Sequence, residues 1–246
     1  MVATLRSASR LVAFMLLSAG MVAGFVVGRR GRSTPDRARW SLSCARRFLR
    51  LFGVDYTVEG RLPGAGVIVS NHLGYLDIVV FAACMPMVFV SKSEVGGWPG
   101  IGTLAKLAGT IFLNRARKSD LANAATRMKL AVDSGVPVLF FPEGTSSDGS
   151  HVLPFHAGLF APAVEGGWPV TPASIRYELD EGSVEDEVCY WRDMTFLPHF
   201  WNLLSKRRIR ARVRFGEPLS TGPDRKALAT ASHVAVAALH RVVGDA

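Results

Sequence analysis

The sequence predicts an α/β domain, a mixed and largely parallel sheet covered by helices, with an N-terminal membrane-associated helical segment. Three observations carry that expectation. From about Tyr56 onward, short apolar runs rich in β-branched residues alternate with helical stretches, the pattern of strands joined by crossover helices. Ahead of them, Leu11 to Gly28 is an apolar run without a charge. The chain has 246 residues, enough for one domain of ordinary size with an appendage. On this reading residues 1–55 are a membrane-anchoring helical segment and residues 56–246 the α/β domain.

As a helix, Leu11–Gly28 would be about 27 Å long, just short of the ~30 Å hydrocarbon core of a bilayer. Arg6 and Arg10 precede it, and Arg29, Arg30 and Arg32 follow. A cleaved signal peptide or a buried core helix shares some of these features. The arginines that follow resist translocation, which favours an anchor in the cell inner membrane with the rest of the chain on the cytoplasmic side. Between Arg29 and Arg50 there are eight arginines and a single acid, Asp36. In the same stretch Trp40, Cys44, Phe48 and Phe52 recur every four residues, beside Leu49. Such a helix fits the headgroup layer or the surface of the domain; its place next to the apolar run favours the headgroup layer.

In the body of the chain, Val67–Ser70, Val88–Val90, Thr110–Leu113 and Val136–Phe141 read as buried strands. Leu76–Cys84, Trp98–Leu107 and Ala122–Val132 read as helices between them. Pro169–Arg176 offers a further strand. Arg207–Phe215 alternates, with Ile209, Ala211, Val213 and Phe215 on one face and arginines on the other, so it reads as a half-solvated strand near an edge. An Ala-rich helix, Asp224–Val243, closes the chain.

Composition narrows the partners. Hydrophobic residues make up 49% of the chain, and 29 Lys and Arg against 20 Asp and Glu give a net charge of +9. That balance suits anionic lipid surfaces or polyanions. Nucleic acid is not expected as a partner, because neither an aromatic-basic platform nor a recognition-helix pattern is present. Cys44, Cys84 and Cys189 are odd in number and widely spaced, which argues against a disulfide framework and fits a reducing cytosol.

Two segments carry the chemistry. Asn71-His-Leu-Gly-Tyr-Leu-Asp77 follows the Val67–Ser70 strand. Imidazole is the side chain whose ordinary pKa lies near neutrality, and a carboxylate partner fixes its tautomer and stabilises the imidazolium. On a regular helix a spacing of five separates two residues by about 140°, so His72 and Asp77 would need a strand-to-helix turn to meet. Gly74, free to take unusual dihedrals, is the residue expected to permit it. Taken alone, the pair also fits a chance spacing or a His at a helix start. Phe141-Pro-Glu-Gly-Thr145 follows the most apolar strand and places Glu143, Gly144 and Thr145 where ligands gather in an α/β sheet. A plain Pro-Gly turn reads the same way. Arg115, after Gly109-Thr-Ile-Phe-Leu-Asn114, stands at a strand end where it can hold a phosphate or carboxylate. Pro169-Val-Thr-Pro172 reads as a rigid turn or a pocket wall.

Together and in this order, Asn71 to Pro172 resembles the four blocks of the glycerophospholipid acyltransferase family, typified by lysophosphatidate acyltransferases. Val213-Arg-Phe-Gly-Glu-Pro218 adds to the likeness. The resemblance implies a membrane-bound O-acyltransferase of phospholipid biosynthesis in which His72 is the general base and Asp77 orients it. It implies that Arg115, Glu143, Gly144 and Thr145 bind the acceptor. The acyl donor would be acyl-CoA or acyl carrier protein, a co-substrate rather than a cofactor, and no metal is expected. The acceptor implied first is 1-acyl-sn-glycerol-3-phosphate, giving phosphatidic acid. One departure bears on it. Many lysophosphatidate enzymes have Arg directly after this block, whereas Ser146, Ser147, Asp148 and Gly149 follow here. Lys92 can supply the charge instead, and a different lysolipid such as lyso-ornithine lipid becomes the alternative acceptor.

From another class, a membrane-bound lipid or thioester hydrolase is the rival. No G-x-S-x-G nucleophile elbow and no HExxH is present. His151 and His156 read as surface residues or as supports of the site.

Overall fold

A computed structural model describes residues 2–28, 33–98, 100–114 and 117–241. Among the described residues seven strands form one sheet: β1 (Val54–Glu59), β2 (Val67–Ser70), β3 (Val88–Lys92), β4 (Ile111–Leu113), β5 (Val138–Phe140), β6 (Val170–Leu179) and β7 (Ile209–Phe215). Their order is β1-β7-β6-β2-β5-β3-β4. The five strands from β6 to β4 are mutually parallel, and β1 is parallel to β7. The two groups meet where β6 and β7 pair antiparallel. The expected mixed, largely parallel sheet is therefore observed.

Alternation along the strands assigns the two faces. Ile68 and Leu139 join a core with helices α2 (Thr34–Phe52), α3 (Tyr75–Cys84) and α8 (Phe196–Ser205). Their neighbours Val67, Val69, Val138 and Phe140 face the other way, against α5 (Lys118–Asp133), α6 (Ala161–Gly166) and α9 (Arg225–Arg241). Strand β7 behaves as its alternation predicts: Ile209, Ala211 and Val213 are buried. Its arginines pair with acids of β6, the turn beyond it and β1, Arg212 with Glu178, Arg210 with Asp180 and Arg214 with Glu59, and Arg208 just before the strand pairs with Asp55. It lies one strand in from the edge, because β1 covers it.

Several elements differ from the sequence expectation. Strand β1 begins at Val54, inside the segment assigned to the anchor. The helix expected over Trp98–Leu107 is present as α4 (Ile101–Leu107), starting three residues later, and a 3-10 turn over Ser93–Gly97 precedes it. Pro172 lies within β6, paired with Val69, rather than in a turn. Helix α8 and the short α7 (Val184–Glu187) have no counterpart in the sequence reading; aromatic residues without a clear period obscured α8.

Helix α2 decides between its two expected settings. Ser33 caps its start by accepting from the Asp36 amide, and Gly53 ends it at φ 73°. Its apolar face enters the core, with Leu49, Phe48 and Phe52 buried against α3 and the sheet. It is a domain helix, because six buried residues on one face are removed from solvent only by packing there.

Helix α1 (Val2–Val27) is one helix long and apolar enough to cross a membrane, with mean hydropathy 2.0. It is longer than the uncharged run because Arg6 and Arg10 lie inside it. They donate to the last carbonyls of α8: Arg6 to Ser205 at 2.7 Å, Arg10 to Leu204 at 3.0 Å and to Lys206 at 2.6 Å. Cations there complement the negative end of the helix dipole. Gly53 makes room for this contact, since a Cβ at that position would lie 2.5 Å from Nη2 of Arg10. Phe14 packs against Phe48, Phe52 and Phe200. The opposite side of α1 exposes Leu5, Val12, Met15 and Leu16, and α8 exposes Leu197 and Trp201. One exposed apolar helix of this kind associates the protein with a membrane.

Two substitutions separate the roles of these helices. Leu49→Ala is expected to destabilise the fold by about 2–5 kcal/mol, read as a lower unfolding temperature in detergent. Leu16→Ala, on the exposed side, is expected to leave that temperature unchanged and to weaken sedimentation with anionic vesicles.

Candidate active site

The parallel register of β2 and β5 brings the two motifs together. Val69 stands opposite Phe140, so the residues three further on, His72 and Glu143, leave the carboxyl ends of adjacent strands side by side. The His72 amide donates to Oε1 of Glu143 at 3.3 Å. Ligands collect beyond this end of a parallel sheet, where loops diverge and helix N-termini point inward.

His72 and Asp77 meet as the turn requires, with Nδ1 2.8 Å from Oδ2. Asp77 occupies the first turn of α3 and is fully buried. Its Oδ2 also accepts from the amides of Leu73 at 2.6 Å and Gly74 at 3.0 Å, and Oδ1 accepts from the Tyr177 hydroxyl at 2.7 Å. An ionised carboxylate accepts only, so Nδ1 carries the hydrogen and Nε2 holds the free lone pair. The ring lies flat on Phe141, with centroids 3.9 Å apart and an angle of 12°, and its side chain remains 20% exposed.

Gly74 permits this turn for a different reason from the one expected. Its φ of 161° is ordinary extended backbone. A Cβ there would instead stand 2.9 Å from the backbone nitrogen of Tyr190. That strand of chain crosses directly over the turn, and the Tyr190 amide donates to the Leu73 carbonyl at 2.7 Å.

Three contributors were not legible as such in the sequence. The Asn71 side chain bridges to β6, donating to the Ile175 carbonyl at 3.0 Å and accepting from its amide at 2.9 Å. It thereby continues the β2–β6 ladder past the last strand residue. Tyr177 reaches Asp77 from β6, a hundred residues away in the chain. The Ser147 amide donates to the His72 carbonyl at 2.9 Å. Only Asn71 left a signal, as the first residue of its motif.

Glu143 is buried, and its Oε2 has no hydrogen-bond partner among the described residues. Burial pushes its pKa up to about 8, with the nearby charge of Asp77 adding to the rise. At neutral pH it is therefore a neutral acid that accepts the His72 amide, one charge fewer beside Asp77.

The other expected residues are spread around an apolar cavity of about 370 Å³. Gly144, at φ 73°, and Thr145 line it beside His72. Lys92, exposed at the end of β3, lines it from another side. Most of the wall is apolar, including Trp40, Phe48, Val79 and Phe200 from the helices. Arg115 lies outside the described residues. His151 and His156 are exposed, and no cluster of metal-ligating side chains exists among the described residues. All three cysteines are free and buried.

The profile of the Acyltransferase family matches residues 54–176, the stretch from β1 into β6 that carries the four motif blocks between Asn71 and Pro172. The chain belongs to the Acyltransferase family. It is 40% identical over 194 residues to a lyso-ornithine lipid O-acyltransferase of Rhodobacter capsulatus, covering 76% of this chain and 70% of that one. A 1-acyl-sn-glycerol-3-phosphate acyltransferase of Neisseria meningitidis is 31% identical over 153 residues, 62% of this chain and 60% of the other. The fold is that of the crystal structure of the 1-acyl-sn-glycerophosphate acyltransferase from Thermotoga maritima, at a TM-score of 0.63 and 21% identity, covering 96% of this chain and all of that one. The protein is an acyltransferase of lysolipids.

The buried carboxyls of this acyltransferase make two measurable demands. Glu143 has a folded pKa above its unfolded value, so the folded state holds the extra proton between about pH 4.5 and 8. Wild-type stability is expected to fall as pH rises through that window, and Glu143→Gln, which keeps the acceptor for the His72 amide, is expected to flatten the decline. Thermal melts of both proteins from pH 5 to 9 check it. Tyr177→Phe removes one donor from a buried carboxylate and is expected to cost about 1–3 kcal/mol of stability, measured by denaturant unfolding.

Proposed function

We propose that His72 is the general base of the transfer and that Asp77 orients it and stabilises its charged form. The single observation that carries this is the His72 ring itself: Nδ1 is tied to a buried carboxylate, and Nε2 is left free beside an apolar cavity. Nε2 takes the proton of the acceptor hydroxyl as its oxygen attacks the carbonyl carbon of an acyl thioester. A carbon–oxygen ester bond forms, the carbon–sulfur bond breaks, and His72 returns the proton to the departing thiolate. The fatty chain fits the apolar cavity between α2, α3 and α8. The donor is acyl-CoA or acyl carrier protein. Thr145, Gly144 and Glu143 border the reacting groups, and Lys92, on the cavity wall, meets the anionic part of a substrate.

The acceptor we favour is lyso-ornithine lipid. The name of the Rhodobacter capsulatus relative supports it, as does Ser146 standing where lysophosphatidate enzymes often carry arginine. Conversion of 1-acyl-sn-glycerol-3-phosphate to phosphatidic acid is the second reading, supported by the Neisseria meningitidis relative. The enzyme works from the cytoplasmic face of the cell inner membrane, where α1 and the exposed side of α8 meet lipid.

Purified protein in detergent, given labelled acyl-CoA or acyl carrier protein with each lysolipid in turn, tests the assignment. Transfer to lyso-ornithine lipid is expected to exceed transfer to lysophosphatidate, and His72→Ala to lower it by a factor on the order of 10³ or more. Undiminished transfer by that variant would remove His72 from the mechanism. Free fatty acid as the main product would mean a hydrolase instead.

A further inference from the structure

The peptide between His72 and Leu73 is gripped at both ends. Its N–H donates to Oδ2 of Asp77 at 2.6 Å, and its carbonyl accepts from the Ser147 amide at 2.9 Å. The Ser147 hydroxyl donates to the same carbonyl at 3.4 Å and accepts from the Gly149 amide at 3.3 Å. Gly149 in turn offers its carbonyl to Nε2 of His240 at 3.0 Å. At φ 83°, Gly149 lies so close over the turn that a Cβ would stand 3.2 Å from Leu73. Ser147 and His240 are both buried. A continuous path of hydrogen bonds therefore runs from the last turn of α9 to His72, and it starts well outside residues 54–176, which the family profile matches.

The end of α9 is itself anchored. Arg176 donates to the His240 carbonyl at 2.8 Å and Arg214 to that of Leu239 at 3.3 Å, cations at the negative end of the helix dipole. Arg176 sits in β6 between Ile175, whose backbone holds Asn71, and Tyr177, whose hydroxyl holds Asp77. Neighbours along a strand face opposite sides of the sheet. Strand β6 thus grips the turn twice, directly on one face and, on the other, through α9, Gly149 and Ser147.

His240 donates through Nε2, so Nδ1 bears the lone pair, and that atom is buried with no hydrogen-bond partner among the described residues. Burial lowers its pKa and the charge of Arg176 pushes the same way, against the bond to Gly149. The ring is neutral and keeps its single N–H for Gly149. An unpartnered buried nitrogen costs stability; what the imidazole contributes is that one bond. Ser147, Gly149 and His240 do not line the cavity, so this path holds the turn without touching substrate.

We propose that Ser147 and His240 are positioning residues of the transfer. They hold the carbonyl side of the His72–Leu73 peptide, so that Asp77, on its amide side, keeps the imidazole aimed. This rests on the reading of His72 as the general base. If the peptide turns, the Leu73 amide leaves Oδ2 of Asp77, and the ring bonded to the same oxygen moves with it. Misplacing a reacting group by about 1 Å costs on the order of a hundredfold in rate.

His240→Leu removes the bond to Gly149, whereas His240→Gln keeps an N–H donor near the place of Nε2. With the wild type's best acceptor and donor, His240→Leu is expected to lower kcat about tenfold and to leave both KM values unchanged. His240→Gln is expected to recover most of the loss. The proton resonance of the His72 Nδ1–H, bonded to Asp77, is expected to move in His240→Leu and to hold in His240→Gln. Ser147→Ala, which removes only a hydroxyl, is expected to lower kcat similarly, and adding His240→Leu to it to cost little more, because both act along one path. Independent losses that multiply, a loss that His240→Gln does not repair, or a lowered unfolding temperature with kcat and the resonance unmoved overturns the path. A slow His72→Ala beside a fully active His240→Leu removes this role alone; full transfer by His72→Ala removes the base and the role together.

Discussion

The carboxylate of Asp77 lies at the start of α3 with no access to water, and the geometry around it follows from what such a group requires. A buried ionised carboxylate is costly unless donors surround it. Two amides of its own turn, the His72 ring and a tyrosine from β6 supply them. To deliver both amides, the chain between β2 and α3 must curl back on itself, and that curl swings His72 onto Phe141. Asn71 holds the entry to the turn by extending the ladder to β6. One desolvated charge thus links the end of β2, the first turn of α3 and the middle of β6.

Glu143 shows the same constraint from the other side. A second charge close to Asp77 would have to be solvated or paired, and the backbone donors near Glu143, chiefly the His72 amide, do not offset its burial. Burial keeps it neutral instead. The two acids of the motifs consequently differ in kind. Asp77 is charged and fully satisfied, while Glu143 is neutral and keeps one oxygen unbonded. This asymmetry leaves His72 with one strong electrostatic partner and a fixed tautomer.

The helices above the sheet join the site to the membrane. Phe14 of α1, Phe48 and Phe52 of α2 and Phe200 of α8 pack into one aromatic cluster, and all four also line the cavity that reaches His72. The arginines of α1 bind the end of α8 rather than lying free as flanking charges. The same packing that closes the cavity therefore leaves Leu16, Leu197 and Trp201 on the outside. In the proposed function, a lysolipid embedded by its chain meets the site without leaving the apolar phase.

Much of this was readable in the sequence alone. Alternation and β-branched runs located β2, β5 and β7, and the motif residues followed the strands whose carboxyl ends they occupy. Periodicity was sufficient there because strand and helix patterns are set by neighbours a few residues apart. The tertiary structure decided the rest. Whether α2 lay on lipid or in the core depended on what covered its apolar face, which no local pattern records. Gly74 was chosen by the approach of Tyr190, and Asp77 was satisfied by Tyr177, each more than ninety residues away. Register along β2 and β5 set His72 beside Glu143, and the bond from the Tyr190 amide to Leu73 fixed the segment that crosses the turn. These are contacts between segments distant in the chain, and the sequence determines them only through the packing of the whole domain.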